Sequence, residues 1–314
     1  MILTLTPVPS LDRTAASPEM LAPNTVCNLR DITTVPGGLG VNVAHTLYRA
    51  GRDALAVFPA PEISHYMRLM TVTGTPHRII PVPGPIQMHF TLINPNGEAT
   101  VLRDPPMPLD PTQLAMLRDL TVTLAENANW VLLAGPLPDI ANSAWYVDVI
   151  RALKLYHPNV RIVVATESAA LLALVRQLAV AAPHVLVLTV DDLEQFTETT
   201  LDNASEQEIV AAGQELIDLG VPELLVPCSR NHAILMNNDG AWAAEIQGAA
   251  GHQSIHWHES FLAGYLVAAE HDANPETRIS SALAYSHAQG SEWDDFLPTP
   301  NLVQRDSVRV SQLR

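Results

Sequence analysis

Short runs of Leu, Val, Ile and Ala recur along the chain, and they alternate with longer stretches whose apolar residues return every three or four positions. Runs of the first kind fit strands buried on both faces, and stretches of the second kind fit amphipathic helices. The strands predicted in this way are 1–6, 54–58, 129–134, 160–165, 184–189 and 223–228, with 232–236 following on. The predicted helices are 40–50, 61–72, 110–126, 142–156, 168–181, 205–219, 260–271 and 276–288. Such alternation predicts an α/β body with a mostly parallel central sheet and helices on both faces.

Two stretches break the rhythm. Residues 13–36 and 77–106 hold no helical pattern, many prolines and short extended pieces at 25–34, 77–82, 87–94 and 98–103. Asn94-Pro95-Asn96-Gly97 is a hairpin signal, since Asn-Gly tolerates the positive φ of a tight turn. Together they read as a small β-sheet attached to a body made of 1–12, 37–76 and 107–314. The polar residues from about 294 onward read as loosely attached.

Hydrophobic residues make up 47% of the 314 and charged residues 16%, which is enough to build a large core. The net charge of −16 argues against nucleic acid and anionic membrane surfaces as partners. The basic residues are sixteen Arg and a single Lys, Lys154. A phosphate loop of the G-x-x-x-x-G-K-[ST] type is therefore excluded, and Lys154 reads as a solvated cation on a helix. Cys27 and Cys228 stand far apart and read as free thiols in a reducing cytoplasm, a lone disulfide being the other reading. The opening Met1–Pro7 reads as a first strand, not a signal peptide, and no apolar run reaches 18 residues.

The most distinctive local feature is Pro36-Gly37-Gly38-Leu39-Gly40-Val41-Asn42-Val43-Ala44. A glycine cluster opening a helix brings backbone N–H groups close to a ligand, or simply makes a tight turn. It is no dinucleotide fingerprint, because Val43 stands at the third glycine and no acid follows about 20 residues on. Three further segments stand in order with it. They are the opening L-T-P-x-P-S-L-D, the A-G-P-L-P turn at 134–138, and S-I-x-x-x-x-S-F-L-A-G-Y-L at 254–266. In these segments, from residue 2 to about 290, the chain resembles the PfkB (ribokinase-like) sugar kinases, in the branch of 1-phosphofructokinase and tagatose-6-phosphate kinase. The resemblance implies an αβα sandwich with a β-sheet lid, a homodimer formed through the lid, a sugar or sugar-phosphate ligand, and ATP with Mg as cofactors.

The resemblance also assigns roles, position by position. Asp12 matches the aspartate that holds sugar hydroxyls. Gly38, Gly40 and Asn42 match the G-G-K-G-x-N sugar loop, whose lysine is here Leu39. The lid motif T-R-x-N falls on Ile86–His89, so that Gln87 replaces the phosphate-binding arginine and His89 the asparagine. The G-A-G-D loop, an anion hole plus catalytic base, falls on His256-Trp257-His258-Glu259. Glu259 is the degenerate base position, with one methylene more than the aspartate. The magnesium-associated N-x-x-E falls on Thr189–Asp192, and the nucleotide loop S-L-G-x-x-G on Pro227–His232, including Ser229 and His232.

Three functions follow. One is a family member whose catalysis is impaired or absent, which binds or regulates. Another is a working ATP-dependent kinase with an altered substrate and Glu259 as base. The third is a metal site in His252, His256, His258 and Glu259, against the plainer reading that these rings fill a vacated nucleotide pocket.

Overall fold

The structure, a computed structural model, describes residues 1–197, 199–201, 204–246, 256–288 and 297–314. β1 (Ile2–Leu5) is buried along its whole length. Its side chains alternate, Ile2 entering the core on one face of the sheet and Leu3 and Leu5 the core on the other. β2 (Ser10–Ala16) and β3 (Arg30–Gly37) then leave the body, and α1 (Leu39–Arg49), β4 (Ala54–Ala60), α2 (His65–Thr73) and β5 (His77–Pro81) return to it. β6 (Gln87–Ile93) and β7 (Ala99–Arg103) leave it again. These excursions form a separate four-stranded sheet in the order β3-β2-β6-β7, the lid.

From α3 (Pro111–Leu124) the chain alternates regularly through β8 (Trp130–Ala134), α4 (Trp145–Tyr156), β9 (Arg161–Ala165), α5 (Ser168–Val175), α6 (Leu178–Ala181), β10 (Val185–Val187), α7 (Val190–Thr197), α8 (Glu206–Asp218) and β11 (Glu223–Ser229). Helix starts carry local signals. Asp110 caps α3 with Gln113 answering three residues on, and Ser205 and Glu208 do the same for α8. A hairpin of β12 (His232–Asn237) and β13 (Gly240–Ile246) follows, then α9 (Trp257–Ala269), α10 (Pro275–Ala288) and β14 (Val308–Gln312).

The main sheet runs β14-β13-β12-β11-β10-β9-β8-β1-β4-β5. From β11 to β5 all pairings are parallel, and the three strands beyond β11 are antiparallel additions. One face is covered by α3, α4, α5 and α8, the other by α1, α9 and α10. The result is the three-layer αβα sandwich that the alternation implies. α9 is buried nearly all round, and Gly264 allows α10 close, since a Cβ there would lie 2.5 Å from the Ser281 carbonyl oxygen. No helix among the described residues is long and apolar enough to cross a membrane.

Several sequence expectations are corrected. The pattern puts residues 77–82 in the lid, yet β5 pairs with β4 as the edge of the main sheet. Ile80 and Val82 are drawn there by the core under α3, where they are 3% exposed. The lid strand expected at 25–34 runs instead over Arg30–Gly37, and β2 starts the lid at Ser10. The helix expected over 168–181 breaks at Gln177, whose N–H bonds back to Leu174 and closes a tight turn. The C-terminus is not loose: β14 pairs with β13 and completes the sheet. Cys27 and Cys228 form no disulfide and are both free.

Candidate functional site

β1 is the point where the strand order reverses, since the chain proceeds to β4 and β5 on one side and to β8 and beyond on the other. In open α/β sheets the crevice beyond the carboxyl ends of the strands at such a point is the expected ligand site. Asp12, the glycine loop and the start of α9 all converge there.

The loop glycines are required by close approach. Gly38 has φ 111° and opens α1, its carbonyl accepting the Asn42 N–H at 2.9 Å. A Cβ on Gly40 would lie 2.5 Å from Thr6 Oγ1, and one on Gly37 would lie 1.9 Å from Asp12 Oδ2. The Asp12 carboxylate thus rests against the bare Cα of Gly37. Tyr66, from α2, donates to the Gly37 carbonyl at 2.9 Å and fixes the loop from behind. Burial and then the charge of Asp12 push the Tyr66 hydroxyl well above its ordinary pKa, so it remains a donor. Leu39, which the resemblance sets against the sugar-loop lysine, is half-buried and packs against the core under α1 and α9.

Asp12 is 3% exposed and accepts from Ser10 Oγ at 2.6 Å. His89 Nδ1 lies 3.4 Å from its Oδ1, and the other nitrogen of that ring meets Gln87 Nε2. Burial alone would raise the Asp12 pKa. The His89 hydrogen bond, the His256 charge and the Ser10 hydroxyl outweigh it and hold the carboxyl below its usual range.

His256 lies between two carboxylates. Its Nε2 is 3.7 Å from Asp12 Oδ2 and its Nδ1 is 3.2 Å from Glu259 Oε1. Asn42 Nδ2 stands 3.4 Å from the same Nδ1 and 3.5 Å from Glu259 Oε1. The ring is buried. Burial would raise the Glu259 pKa, but the charge of His256 and its hydrogen bond lead a set of effects that lower it. His258 stacks on Trp257 with ring centroids 3.6 Å apart. Burial depresses the His258 pKa, with the charges of Glu259 and Asp192 pulling the other way.

The structure therefore brings Asp12, Asn42, Gln87, His89, His256 and Glu259 into one continuous set of contacts. The remaining expected residues are occupied elsewhere. Asp192 accepts from both the N–H and the hydroxyl of Thr189, at 2.8 and 2.7 Å, capping α7. Ser229 sits exposed beside the irregularity in the β11–β12 pairing, and its hydroxyl accepts the Asn231 N–H at 3.3 Å. His232 pairs with Glu206 at 2.8 Å. His252 lies outside the described residues. Among the described residues no group of three or more His, Cys, Asp or Glu is placed to hold a metal ion.

Sequence reasoning missed Ser10, Thr6 and Tyr66. Ser10 lies within the opening motif, two residues from Asp12, a spacing that lets a strand residue reach the same face. The Thr6 hydroxyl is buried against Gly40 with no hydrogen-bond partner among the described residues. Nothing local in the sequence marks Tyr66, which arrives from a separate helix.

Residues 8–248 match the description "pfkB family carbohydrate kinase". The chain is 28% identical over 229 residues to the ATP-dependent 6-phosphofructokinase isozyme 2 of Mycobacterium tuberculosis, over 72% of this chain but only 64% of that protein's length. It is 24% identical over 269 residues to the 1-phosphofructokinase of Rhodobacter capsulatus, covering 84% of this chain and 82% of that one. Its fold is that of Escherichia coli phosphofructokinase-2 in complex with substrates and products, with TM-score 0.84, 19% identity and 98% and 96% of the two chains covered. A possible 1-phosphofructokinase from Thermotoga maritima superposes with TM-score 0.87 over the whole of both chains at 16% identity. With a match over most of its length and the ribokinase-like architecture throughout, the chain belongs to the PfkB family of carbohydrate kinases.

Proposed function

We propose that this protein is a cytoplasmic PfkB-family member that keeps the acceptor-sugar half of the site and has lost most or all phosphoryl transfer. The observation that carries this reading is the His256 ring between Asp12 and Glu259. In the family, the sugar hydroxyls are held by the acid at position 12, and the acid at 259 takes the acceptor proton. A ligand reaching both carboxylates must displace the imidazole. That costs the contacts of the ring with both carboxylates before any chemistry begins.

The residues present do not fit Mg·ATP. The family's flexible glycines, whose N–H groups close on phosphate, are here a buried imidazole and a stacked Trp257–His258 pair. The Asp192 carboxylate caps α7, and His232 is bound to Glu206. Removing one preorganised donor from an anion hole costs about 10²–10³ in rate. Several such losses leave turnover near background, although the effects need not multiply.

The test is turnover of the purified protein with Mg·ATP and a panel of sugars and sugar phosphates. Rates near background are expected throughout. A kcat above about 1 s⁻¹, the low end of the usual range, that disappears in Glu259→Gln would overturn the reading and restore an active kinase with Glu259 as base.

A further inference from the structure

The strand pairing of the lid fixes which side chains share the face turned to the site. Ser10 pairs with Gln87 and Asp12 with His89 across β2 and β6, and His89 pairs with Arg103 across β6 and β7. Residues in register project from the same side of a sheet. Asp12 meets His256 from this side, so this is the face that closes on the body. It is buried and polar, with Ser10 1%, Asp12 3% and Gln87 8% exposed.

Cations are scarce on that face among the described residues. Arg13 alternates to the outer side, where it pairs with Phe90. Arg30 pairs with Ala16, four residues beyond Asp12 and so about 13 Å away along the strand. Arg103 is exposed on the edge strand. Arg230 acts toward α10, where burial first and then the Arg230 charge lower the pKa of His287. Against these stand two buried carboxylates, Asp12 and Glu259, and Asp104, which accepts from the Met88 N–H at 3.3 Å. His89 has its two ring nitrogens directed at Asp12 and Gln87, so both are already engaged. Leu39 packs into the core and offers a ligand no charge.

We infer that the acceptor site takes an unphosphorylated, neutral polyhydroxyl ligand in preference to a sugar phosphate, with the Gln87–His89 pair and Leu39 as the residues that set this specificity. A carboxylate, a carboxamide and an imidazole read hydroxyl groups as donors and acceptors alike. A phosphate dianion at the same place would be desolvated beside two like charges with no buried guanidinium or ammonium among the described residues to receive it. Arg103, across the ladder from His89, shares this face and stays in solvent.

The inference rests on the proposed placement of the acceptor at Asp12, Asn42 and Glu259, but it is read by binding and does not depend on turnover. Isothermal titration of the intact protein with ketohexoses, aldopentoses and polyols, each paired with its phosphate, is the experiment. At least one neutral compound is expected to bind ten-fold or more tightly than its phosphate, and Asp12→Asn is expected to weaken it. Leu39→Lys combined with Gln87→Arg is expected to reverse the preference, and Arg103→Gln to leave it unchanged. A phosphate that binds as tightly as its neutral parent, or no neutral compound bound at all, overturns the inference. Loss of phosphate binding in Arg103→Gln would identify Arg103 as the phosphate ligand and overturn it equally. Fast turnover of a neutral sugar would refute the loss of catalysis while leaving this specificity standing, so the two readings fail separately.

Discussion

Arg278→Leu is expected to destabilise the protein through one buried carboxylate. Glu223 opens β11 beneath α9 and α10, with its side chain 7% exposed and that of Arg278 18%. Arg278 Nη1 reaches both oxygens of Glu223, at 2.9 and 2.8 Å, and the Tyr265 hydroxyl donates to Oε1 at 2.5 Å. Removing the guanidinium leaves that carboxylate buried with only the neutral Tyr265 and Asn237 side chains to answer its charge. Breaking a buried pair from one side typically costs about 3–5 kcal/mol. With an unfolding entropy of about 2.1 cal/mol/K per residue, a chain of this length loses about 5–8 °C in Tm. Burial already raises the Glu223 pKa, and Arg278 and the hydrogen bonds only partly offset it. Loss of Arg278 raises it further. An acid with a raised folded-state pKa gives stability below its unfolded pKa and loses it as pH rises, so the deficit relative to the parent should be smaller near pH 5 than at pH 8. The double variant Glu223→Leu/Arg278→Leu removes the stranded charge and should recover most of the loss. Calorimetry of parent, single and double variants at the two pH values reads all three effects. A single variant within 1 °C of the parent, or a double variant no better than the single one at pH 8, would refute the reasoning.

Two further outcomes are expected. His45, packed against Thr75 with Nδ1 2.6 Å from Oγ1, is held neutral by burial and by Arg49, its pKa pushed down from 6.5 to about 4. A base with a depressed folded pKa loses stability as pH falls through the range between the two values, here at most roughly 3 kcal/mol; His45→Gln should flatten the melting curve's pH dependence between 6.5 and 4, and an unchanged dependence would count against it. The outer side of the lid and its adjoining loop expose Val26, Met20 and Leu102 at 85%, 60% and 57%, and we propose that a second copy of the chain covers them. Light scattering should give about twice 34.0 kDa and Leu102→Asp should lower it, whereas a monomer at micromolar concentration would exclude the dimer.

The parallel core is legible in the sequence because its strands are apolar on both faces and its helices carry periodic stripes and caps. β13 and β14 escape for different reasons. Asn237-Asn238-Asp239-Gly240 is a strong hairpin signal that points to β13, but Gly240-Ala241-Trp242-Ala243-Ala244 is a run of small residues with little β-branching. Val308-Arg309-Val310-Ser311 does alternate, yet it covers an edge and stays half exposed, so its pattern resembles a polar tail. β5 reads into the wrong sheet because strand identity is local while sheet membership is decided by the nearest unfilled core. At the site, Asp12, Asn42 and Glu259 are legible from motif order. What the motifs do not show is that His256 turns toward Asp12 rather than toward solvent, since that depends on two segments more than 240 residues apart in sequence.

The substitutions at the site are chemically coordinated. Asp12 left buried, ionised and without partners would carry a penalty of several kcal/mol. Instead, His89 and His256 stand against Asp12, and Asn42 and His256 against Glu259. Each carboxylate has an imidazole close by, and the half-buried Leu39 packs against the core under α1 and α9. Independent loss of cations predicts unsatisfied acids and a softened pocket. Here both acids are held on the ionised side of their usual range by the partners packed against them. A site of this kind keeps hydroxyl-reading groups fixed in place without the positive field that a phosphate needs, and that is the physical link between the loss of transfer and the neutral-ligand preference we propose.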